Sequence, residues 1–316
     1  NYYTTAEGLG KVNVYIEGNI TNVEAQAKLL EQIGTQTENI YVQNTTQLTD
    51  ITIIFSTNIR DIIVKNNPNL KNTTLQGSNN TINEFQIYDG HYMNNIIIKG
   101  IVEANAIYLG HMANNYNTSE YVNIECRDLV TVNGNLDVKI GQYNHPSINK
   151  ANFYDLKYIN KTIDNSIYGE CRWWGNYSEF NMPKLETVEK VNHFIHVQSV
   201  TYPKLKRAKK IRYDYGPNNQ TINFPLLERV DILERYGDGG GYSYNINLNM
   251  PILNYCEQAW LYHNFTSFQV NAILNQFLTI NPPSGKYIKI EGAAPSGQGL
   301  LDKQTLISNG NTVDTN

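Results

Sequence analysis

Four aromatic-rich stretches in the second half of the chain carry the side chains best suited to bind a ligand. They cover residues 173–177, 213–216, 236–244 and 260–263, and each adds an amide, carboxylate or imidazole group to its rings. A flat ring beside such polar groups suits one face of a sugar or the hot spot of a partner protein. The alternative is that these large rings only fill gaps between irregular structural units.

The residues predicted to form a binding surface come from these stretches and from the positions beside them. They are Arg212, Asp214, Tyr236, Trp260, Tyr262, Trp173, Trp174 and Tyr242. Trp260 and Tyr262 alternate with apolar neighbours, and this period of two places them on the outer face of a strand. For Trp173 and Trp174 the sequence is equally consistent with an exposed and a gap-filling position.

No sequence motif indicates catalysis, so we predict a protein that is not an enzyme and needs no cofactor. Asp231, Glu234 and Asp238 lack the spacing of a calcium loop. His193 and His196 would lie on opposite faces of a strand, so no metal site is predicted either. A catalytic triad built from distant residues stays open, because such triads leave no local pattern.

A recurring phrase defines the elements that must hold these residues. Residues 180–185, 200–205, 222–227 and 248–253 each read apolar, Asn or Thr, apolar, Pro, any residue, Leu. The four prolines lie 20, 22 and 26 residues apart. This period is typical of a solenoid, in which each unit buries its apolar face only against its neighbours.

The same phrase predicts which side chains face inward. The apolar residue before each proline alternates with polar ones, so Met182, Tyr202, Phe224 and Met250 are expected inside. Apolar residues then recur every third position: Leu185, Val188, Val191; Leu205, Ala208, Ile211; Leu227, Val230, Leu233; Leu253, Cys256, Ala259. The residues that follow are expected outside: Asn192, Arg212, Glu234 and Trp260. A register slip of one residue would exchange the two sets.

This phrase resembles the irregular leucine-rich repeats of bacterial surface antigens, whose units read Ile-x-Ile-Pro-x-x-Val-x-x-Ile. The resemblance is clear over about residues 180–261 and is looser upstream, where Pro68 and Pro146 stand in degenerate copies. It implies an α/β repeat solenoid of stacked short strands. The alternative is a right-handed parallel β-helix, which also has coils of about this length and stacks Asn between them.

We predict one domain in three parts: an N-terminal cap (residues 1–40), the solenoid (41–265) and a C-terminal cap (266–316). Residues 21–24 have the form of a capping box, which predicts a helix from Ala25 that ends at Gly34. At the other end, an apolar stripe predicts a helix that Ser267 caps. Strand, turn, short helix and strand are expected after it, similar to the terminal unit of bacterial and phage leucine-rich repeat proteins.

Composition narrows the range of partners. Only 17% of the 316 residues are charged and the net charge is −4, so we expect no nucleic-acid partner. No run of about 20 apolar residues exists, so no transmembrane segment is expected. The polarity comes from 45 Asn and 23 Tyr, which suit neutral, hydroxyl-rich ligands. Cys126, Cys171 and Cys256 have neither metal-site spacing nor a disulfide framework.

Together these patterns predict a non-catalytic extracellular protein of recognition or adhesion. It would bind a glycan or a protein through its repeat surface, on a bacterial cell surface or on a phage virion. Two other classes stay open. One is a structural subunit of an extracellular or virion assembly, whose aromatic stretches contact other subunits, and the other is a β-helix enzyme that cleaves glycans.

Overall fold

The computed structural model places most of the chain in two compact units. The described residues are 2–7, 11–18, 22–26, 36–56, 58–88, 93–112, 122–140, 149–159, 170–196, 199–213, 220–235 and 246–316. The first unit comprises Asn1–Leu185 with Ile195–Val197, and the second comprises Glu186–Phe194 with Gln198–Asn316. The division into two caps and one solenoid stays a prediction.

The first unit consists of strands that stack in parallel. It opens with an antiparallel hairpin of β1 (Tyr2–Glu7) and β2 (Lys11–Gly18), and from β2 onward the pairing is parallel. The later strands are β3 (Asn22–Gln26), β4 (Gln36–Thr45), β5 (Asp50–Ile54), β6 (Ile59–Lys65), β7 (Asn72–Tyr88), β8 (Asn95–Met112), β9 (Asn123–Cys126), β10 (Thr131–Val132), β11 (Leu136–Ile140), β12 (Asn149–Phe153), β13 (Tyr158–Ile159) and β14 (Glu170–Asn181). Each strand pairs in parallel with the corresponding strand of the next coil.

A close backbone contact bends the two long strands β7 and β8 at the same level. Gly77 and Gly100 face each other there, and a Cβ atom on Gly77 would lie 2.4 Å from the carbonyl oxygen of Gly100. Gly100 also has a φ of 66°, a conformation that costs glycine little. Side chains at either position would separate the coils, so glycine permits the bend.

The second unit also consists mainly of parallel strands, which form two sheets. One contains β15 (Thr187–His196), β17 (Arg207–Tyr213), β19 (Arg229–Arg235), β21 (Gln258–Phe265), β22 (Tyr287–Gly292) and β23 (Thr312–Thr315). The other contains β16 (Ser199–Thr201), β18 (Gln220–Asn223) and β20 (Ile246–Asn249). Two helices, α1 (Ser267–Thr279) and α2 (Gln298–Ser308), separate the last strands. Within the described parts of both units, no helix is long and apolar enough to cross a membrane.

The protein is therefore a parallel β-solenoid. The only helices among the described residues are α1 and α2. The expected α/β composition therefore applies, within the described part, to the C-terminal end alone. Stacked parallel strands with few helices agree with the parallel β-helix alternative.

The predicted inward register is confirmed. All residues of the three-residue ladder are buried, from Leu185 to Ala259, and so are Met182, Tyr202 and Phe224. The rings of Tyr202 and Phe224 stack on adjacent coils with centroids 5.1 Å apart. Met250 is half-buried. The apolar faces of successive coils thus form one continuous core in the second unit, as nearest-neighbour stacking requires.

Amide ladders join the coils of the first unit on their outer surface. Asn72 donates from Nδ2 to Oδ1 of Asp50 at 2.6 Å, Asn95 donates to Asn72 at 2.7 Å, and Asn123 donates to Asn95 at 3.4 Å. A second ladder of the same form runs through Asp61, Asn83, Asn105 and Asn133. Each amide donates and accepts, whereas a carboxylate only accepts, so an aspartate ends both ladders on the same side.

The predicted terminal helices have different outcomes. The capping-box pattern of residues 21–24 predicted a helix from Ala25. This prediction is wrong for Ala25 and Gln26, the part of the predicted helix that the structure describes. Asn22–Gln26 forms β3, which pairs in parallel with β5, and this ladder outweighs the local pattern. Residues 27–35 lie outside the described part. Helix α1 and the strand, turn, helix and strand after it are present, but Thr266 caps α1 in place of Ser267, with a capping box to Gln269.

Candidate functional site

The outer face of the larger sheet of the second unit collects three of the residues predicted to bind a ligand. Parallel register places Arg212 beside Glu234, Glu234 beside Trp260, and Trp260 beside Lys289. Tyr262, two residues beyond Trp260, points to the same side, because both residues alternate with the buried Ala259 and Leu261. Neighbouring strands lie about 4.8 Å apart, so these side chains form one continuous surface.

The centre of this surface is a group of four residues, Trp260, Tyr262, Tyr287 and Lys289, which we call the aromatic–lysine patch. The Trp260 and Tyr287 rings meet edge to face, with centroids 6.0 Å apart and planes 68° from parallel. Lys289 Nζ lies 5.2 Å from the centroid of the Tyr262 ring. Trp260 and Tyr262 are half-buried, and Tyr287 is exposed. Each ring is held by a neighbour and still keeps part of its surface in solvent.

Acidic groups surround the lysine of the patch. Lys289 Nζ lies 3.7 Å from Oε1 of Glu291 and 3.9 Å from Oδ2 of Asp314. The neighbouring Tyr262 is the main cause that raises the pKa of Lys289, and the two carboxylates act in the same direction. Lys289 is therefore a charged donor at neutral pH. The patch thus offers a cation, two carboxylates and three aromatic rings on adjacent strands.

The indole nitrogen of Trp260 is a hydrogen-bond donor that finds no acceptor among the described residues. Nε1 is enclosed, although the side chain as a whole is only half-buried. An unsatisfied enclosed donor costs about 1–3 kcal/mol. The adjacent Glu234 forms its hydrogen bond with Nζ of Lys210, at 2.6 Å from Oε1.

One predicted outward residue is corrected by the structure. Glu234 was expected on the exposed surface, yet it is only 5% exposed. It lies in the outward row, but it is buried there and forms an ion pair with Lys210 of the adjacent coil. Arg212, in the same row, is half-buried.

Several predicted contacts are not tested by this geometry. Asp214, Tyr236 and Tyr242 lie outside the described residues. Trp173 and Trp174 belong to β14 of the first unit, where their backbones pair with β11, and their side chains are not described. The aromatic stretches are therefore divided between two units. Sequence reasoning missed Tyr287 and Lys289, although they alternate with apolar Ile288 and Ile290 in the way that marked Trp260 and Tyr262.

Metal and thiol chemistry find little support in the described part of the chain. No group of three or more His, Cys, Asp or Glu side chains there is arranged to hold a metal ion. Cys126 and Cys256 are buried and unpaired with each other. Burial raises the pKa of the Cys256 thiol to about 12 and shifts that of Cys126 in the same direction. A thiol that stays protonated is a poor nucleophile and metal ligand.

Comparison with known protein families, curated proteins and solved structures gave no match to this chain. The function is therefore inferred from the geometry and chemistry of the surface.

Proposed function

We propose that this protein recognises a glycan, without catalysis, through the aromatic–lysine patch. The observation that carries the proposal is the placement of partly exposed rings and a lysine with two carboxylates on adjacent rungs of one parallel sheet. The apolar face of a sugar ring packs against an aromatic ring, and its hydroxyls accept from Lys289 and donate to Glu291 and Asp314. Both kinds of contact are available here within a few ångströms.

The rigidity of the sheet favours binding. Trp260 and Tyr287 support each other edge to face, and the parallel ladders hold both backbones. A surface that is already ordered loses little conformational entropy when it binds a ligand. The half-buried state of Trp260 and Tyr262 therefore helps recognition, since the rings are positioned before the ligand arrives.

The finer class and location are part of the same proposal. The recurring Pro and Leu phrase supports a leucine-rich-repeat relationship, in which α1, α2 and the strands beside them close the C-terminal end of the core. The low charge and the amide-rich surface support an extracellular setting, on a bacterial surface or a virion.

A structural subunit is the second candidate, and a different observation favours it. Helices α1 and α2 expose apolar side chains, most of all Phe268, which is 82% exposed, together with Leu300 and Leu301. Exposed apolar groups of this kind are typical of contacts with another protein. None of these residues belongs to the patch, so the two candidates can be tested separately.

A glycan array tests the proposal, with two alanine variants that share the same chemistry. Trp260→Ala should strongly reduce retention of the bound glycan, because it removes a ring from the patch. Phe268→Ala, which removes an exposed ring elsewhere, should bind as the wild type does. Equal retention by Trp260→Ala and the wild type would reject the patch as the glycan site.

The same preparations separate the remaining classes. A structural subunit would elute in large assemblies during size-exclusion chromatography with light scattering, and Phe268→Ala would reduce them. A glycan-cleaving enzyme would release reducing ends and lose this activity in Asp231→Ala. Asp231 accepts from Nε of Arg229 at 2.7 Å, so Arg229→Ala is the control for a merely structural effect.

A further inference from the structure

The first unit has a polar cleft on the outer face of its sheet. It has a volume of about 430 Å³, within the range of about 300–1,000 Å³ that is usual for small-ligand sites. The lining side chains come from four strands that follow one another across the sheet, and from Tyr154 directly after one of them: Asn95, Asn123, Glu125, Lys150, Asn152, Tyr154 and Glu179. All of them belong to the first unit, so the cleft is separate from the aromatic–lysine patch.

In-register stacking brings these residues together. Asn95 pairs with Asn123, Asn123 with Lys150, and Lys150 with Glu179, which forms one row across β8, β9, β12 and β14. The next residue along each strand is a buried apolar one: Ile96, Ile124, Ala151 and Phe180. The polar row therefore faces outward, and the cleft lies above a packed core that holds its floor in place.

The floor of the cleft contains a buried amide with an unused donor. Asn152 is only 3% exposed, and its Oδ1 accepts from Nδ2 of Asn181 at 2.8 Å. The described residues provide no acceptor for Nδ2 of Asn152. A buried amide that lines a cleft and has a donor without a protein partner is arranged to bind a ligand oxygen.

The walls supply both donors and acceptors. Nδ2 of Asn123 donates to Asn95, which leaves the side-chain oxygen Oδ1 of Asn123 as an acceptor at the wall. The Lys150 ammonium lies 3.3 Å from Oε2 of Glu179. Tyr154 adds a hydroxyl that can donate or accept. Groups that alternate in this way match a ring of hydroxyls, each of which also donates and accepts.

Charge in the cleft is balanced. The lining carries two carboxylates, Glu125 and Glu179, and one lysine, Lys150. Arg127 lies beside the cleft, 3.7 Å from Oε2 of Glu125 and 5.0 Å from the centroid of the Tyr154 ring, and supplies the second positive charge. A site of this kind gives no net attraction to an anion or to a cation. It favours an uncharged ligand that bonds to all of these groups at once.

We propose that this cleft binds a neutral, hydroxyl-rich sugar ring as a second site, independent of the aromatic–lysine patch. Nδ2 of Asn152 and the Tyr154 hydroxyl donate to ring oxygens. The carboxylates and the Asn123 carbonyl accept from ring hydroxyls. The proposal does not rest on the proposed function, because no residue is shared between the two sites.

Saturation-transfer difference NMR on the whole chain tests this site. The neutral probes are D-glucose, D-galactose, D-mannose and N-acetyl-D-glucosamine, and D-glucuronate and D-glucosamine are the charged comparators. All spectra are recorded in a Trp260→Ala background, so that the patch does not contribute. Into this background we would introduce Tyr154→Phe, Glu179→Gln and the matched control Tyr158→Phe, which removes a tyrosine hydroxyl of β13 outside the cleft.

We expect at least one neutral sugar to respond, with affinity that falls about three- to tenfold in Tyr154→Phe, the loss that corresponds to one hydrogen bond. Glu179→Gln should fall similarly, and Tyr158→Phe should not change. The proposal is overturned if no neutral sugar responds in the Trp260→Ala background, if Tyr158→Phe loses as much as Tyr154→Phe, or if a charged sugar binds more tightly. None of these outcomes affects the patch, because Trp260→Ala removes its contribution from every spectrum; the patch is tested separately, by comparing array retention of the wild type with that of Trp260→Ala.

Discussion

The buried amide of Asn67 is predicted to be among the most important polar side chains of the first unit. It is 2% exposed, and its Oδ1 accepts from the backbone N–H of Thr45 at 3.1 Å and from the Thr45 hydroxyl at 2.6 Å. Its Nδ2 donates to the carbonyl oxygen of Val42 at 2.9 Å. One side chain thus satisfies buried polar groups of the preceding coil.

Replacement of Asn67 by alanine leaves these groups buried without partners. Each unsatisfied group costs about 1–3 kcal/mol, and the Thr45 N–H and the Val42 carbonyl together therefore predict a loss of about 2–6 kcal/mol in the free energy of unfolding. Asn69→Ala is the matched control. Asn69 is exposed and makes a single bond, from Nδ2 to the Thr46 carbonyl at 2.6 Å, which water replaces. Its loss should stay below about 1 kcal/mol.

Urea unfolding, followed by circular dichroism, measures both losses on the same chain. The expected result is a clear fall in the midpoint for Asn67→Ala and almost none for Asn69→Ala. Equal midpoints for the two variants would show that the buried hydrogen bonds of Asn67 do not stabilise the fold more than the exposed bond of Asn69. The two substitutions differ only in the burial and number of the bonds removed.

Three further predictions concern the second unit. Glu234→Ala should lower the free energy of unfolding, measured by urea titration, by about 1–3 kcal/mol, because it leaves Lys210 without its enclosed partner. Glu257→Ala is the control and should cost less than about 1 kcal/mol, because it removes only a half-exposed ion pair 3.9 Å long. Burial raises the pKa of Tyr213 above its usual 10.0, so the stability it provides is complete below pH 10 and is lost as pH rises through that value toward the raised pKa. Tyr213→Phe should therefore lose less stability than the wild type above pH 10, by up to about 1.4 kcal/mol per pH unit, in unfolding titrations at several pH values. Cys256, with its raised pKa, should resist iodoacetamide at pH 8 in the native protein and react in urea, as read by peptide mass spectrometry.

Each of these has a result that would contradict it. Equal losses for the two glutamate variants would show that Glu234 is not enclosed in solution. Parallel alkaline curves for the wild type and Tyr213→Phe would show that the phenol is hydrated. Rapid native alkylation of Cys256 would contradict its place in the inward ladder.

The apolar core of the second unit was predictable because it is encoded locally. Leu227, Val230 and Leu233 recur at a fixed spacing, and the copies in neighbouring coils repeat it closely enough to set the register. Any other register would expose leucines, so the pattern has one low-energy solution. The same alternation placed Trp260 and Tyr262 on the outer face.

Other features depend on partners that lie one coil away in sequence. The capping-box pattern of residues 21–24 favours a helix locally, yet β3 gains a parallel ladder with β5 that no local pattern reveals. The sequence pattern places Glu234 on the surface, and it does not reveal the ion pair with Lys210 of the adjacent coil. The polar cleft joins Lys150 to Glu179 across 29 residues of degenerate repeats. The amide ladders did leave a signal, since Asn83 and Asn105 recur at the coil spacing of 22 residues.

Fluorine NMR of protein labelled with 5-fluorotryptophan tests the central claim most directly. The chain has three tryptophans, and single Trp→Phe variants assign their resonances. When a glycan retained on the array is added, we expect a saturable shift of the Trp260 resonance that is larger than the shift of Trp173 or Trp174. If this array glycan binds and leaves the Trp260 resonance unmoved, the patch is not its binding site. An array on which no glycan is retained would also contradict glycan recognition by the patch.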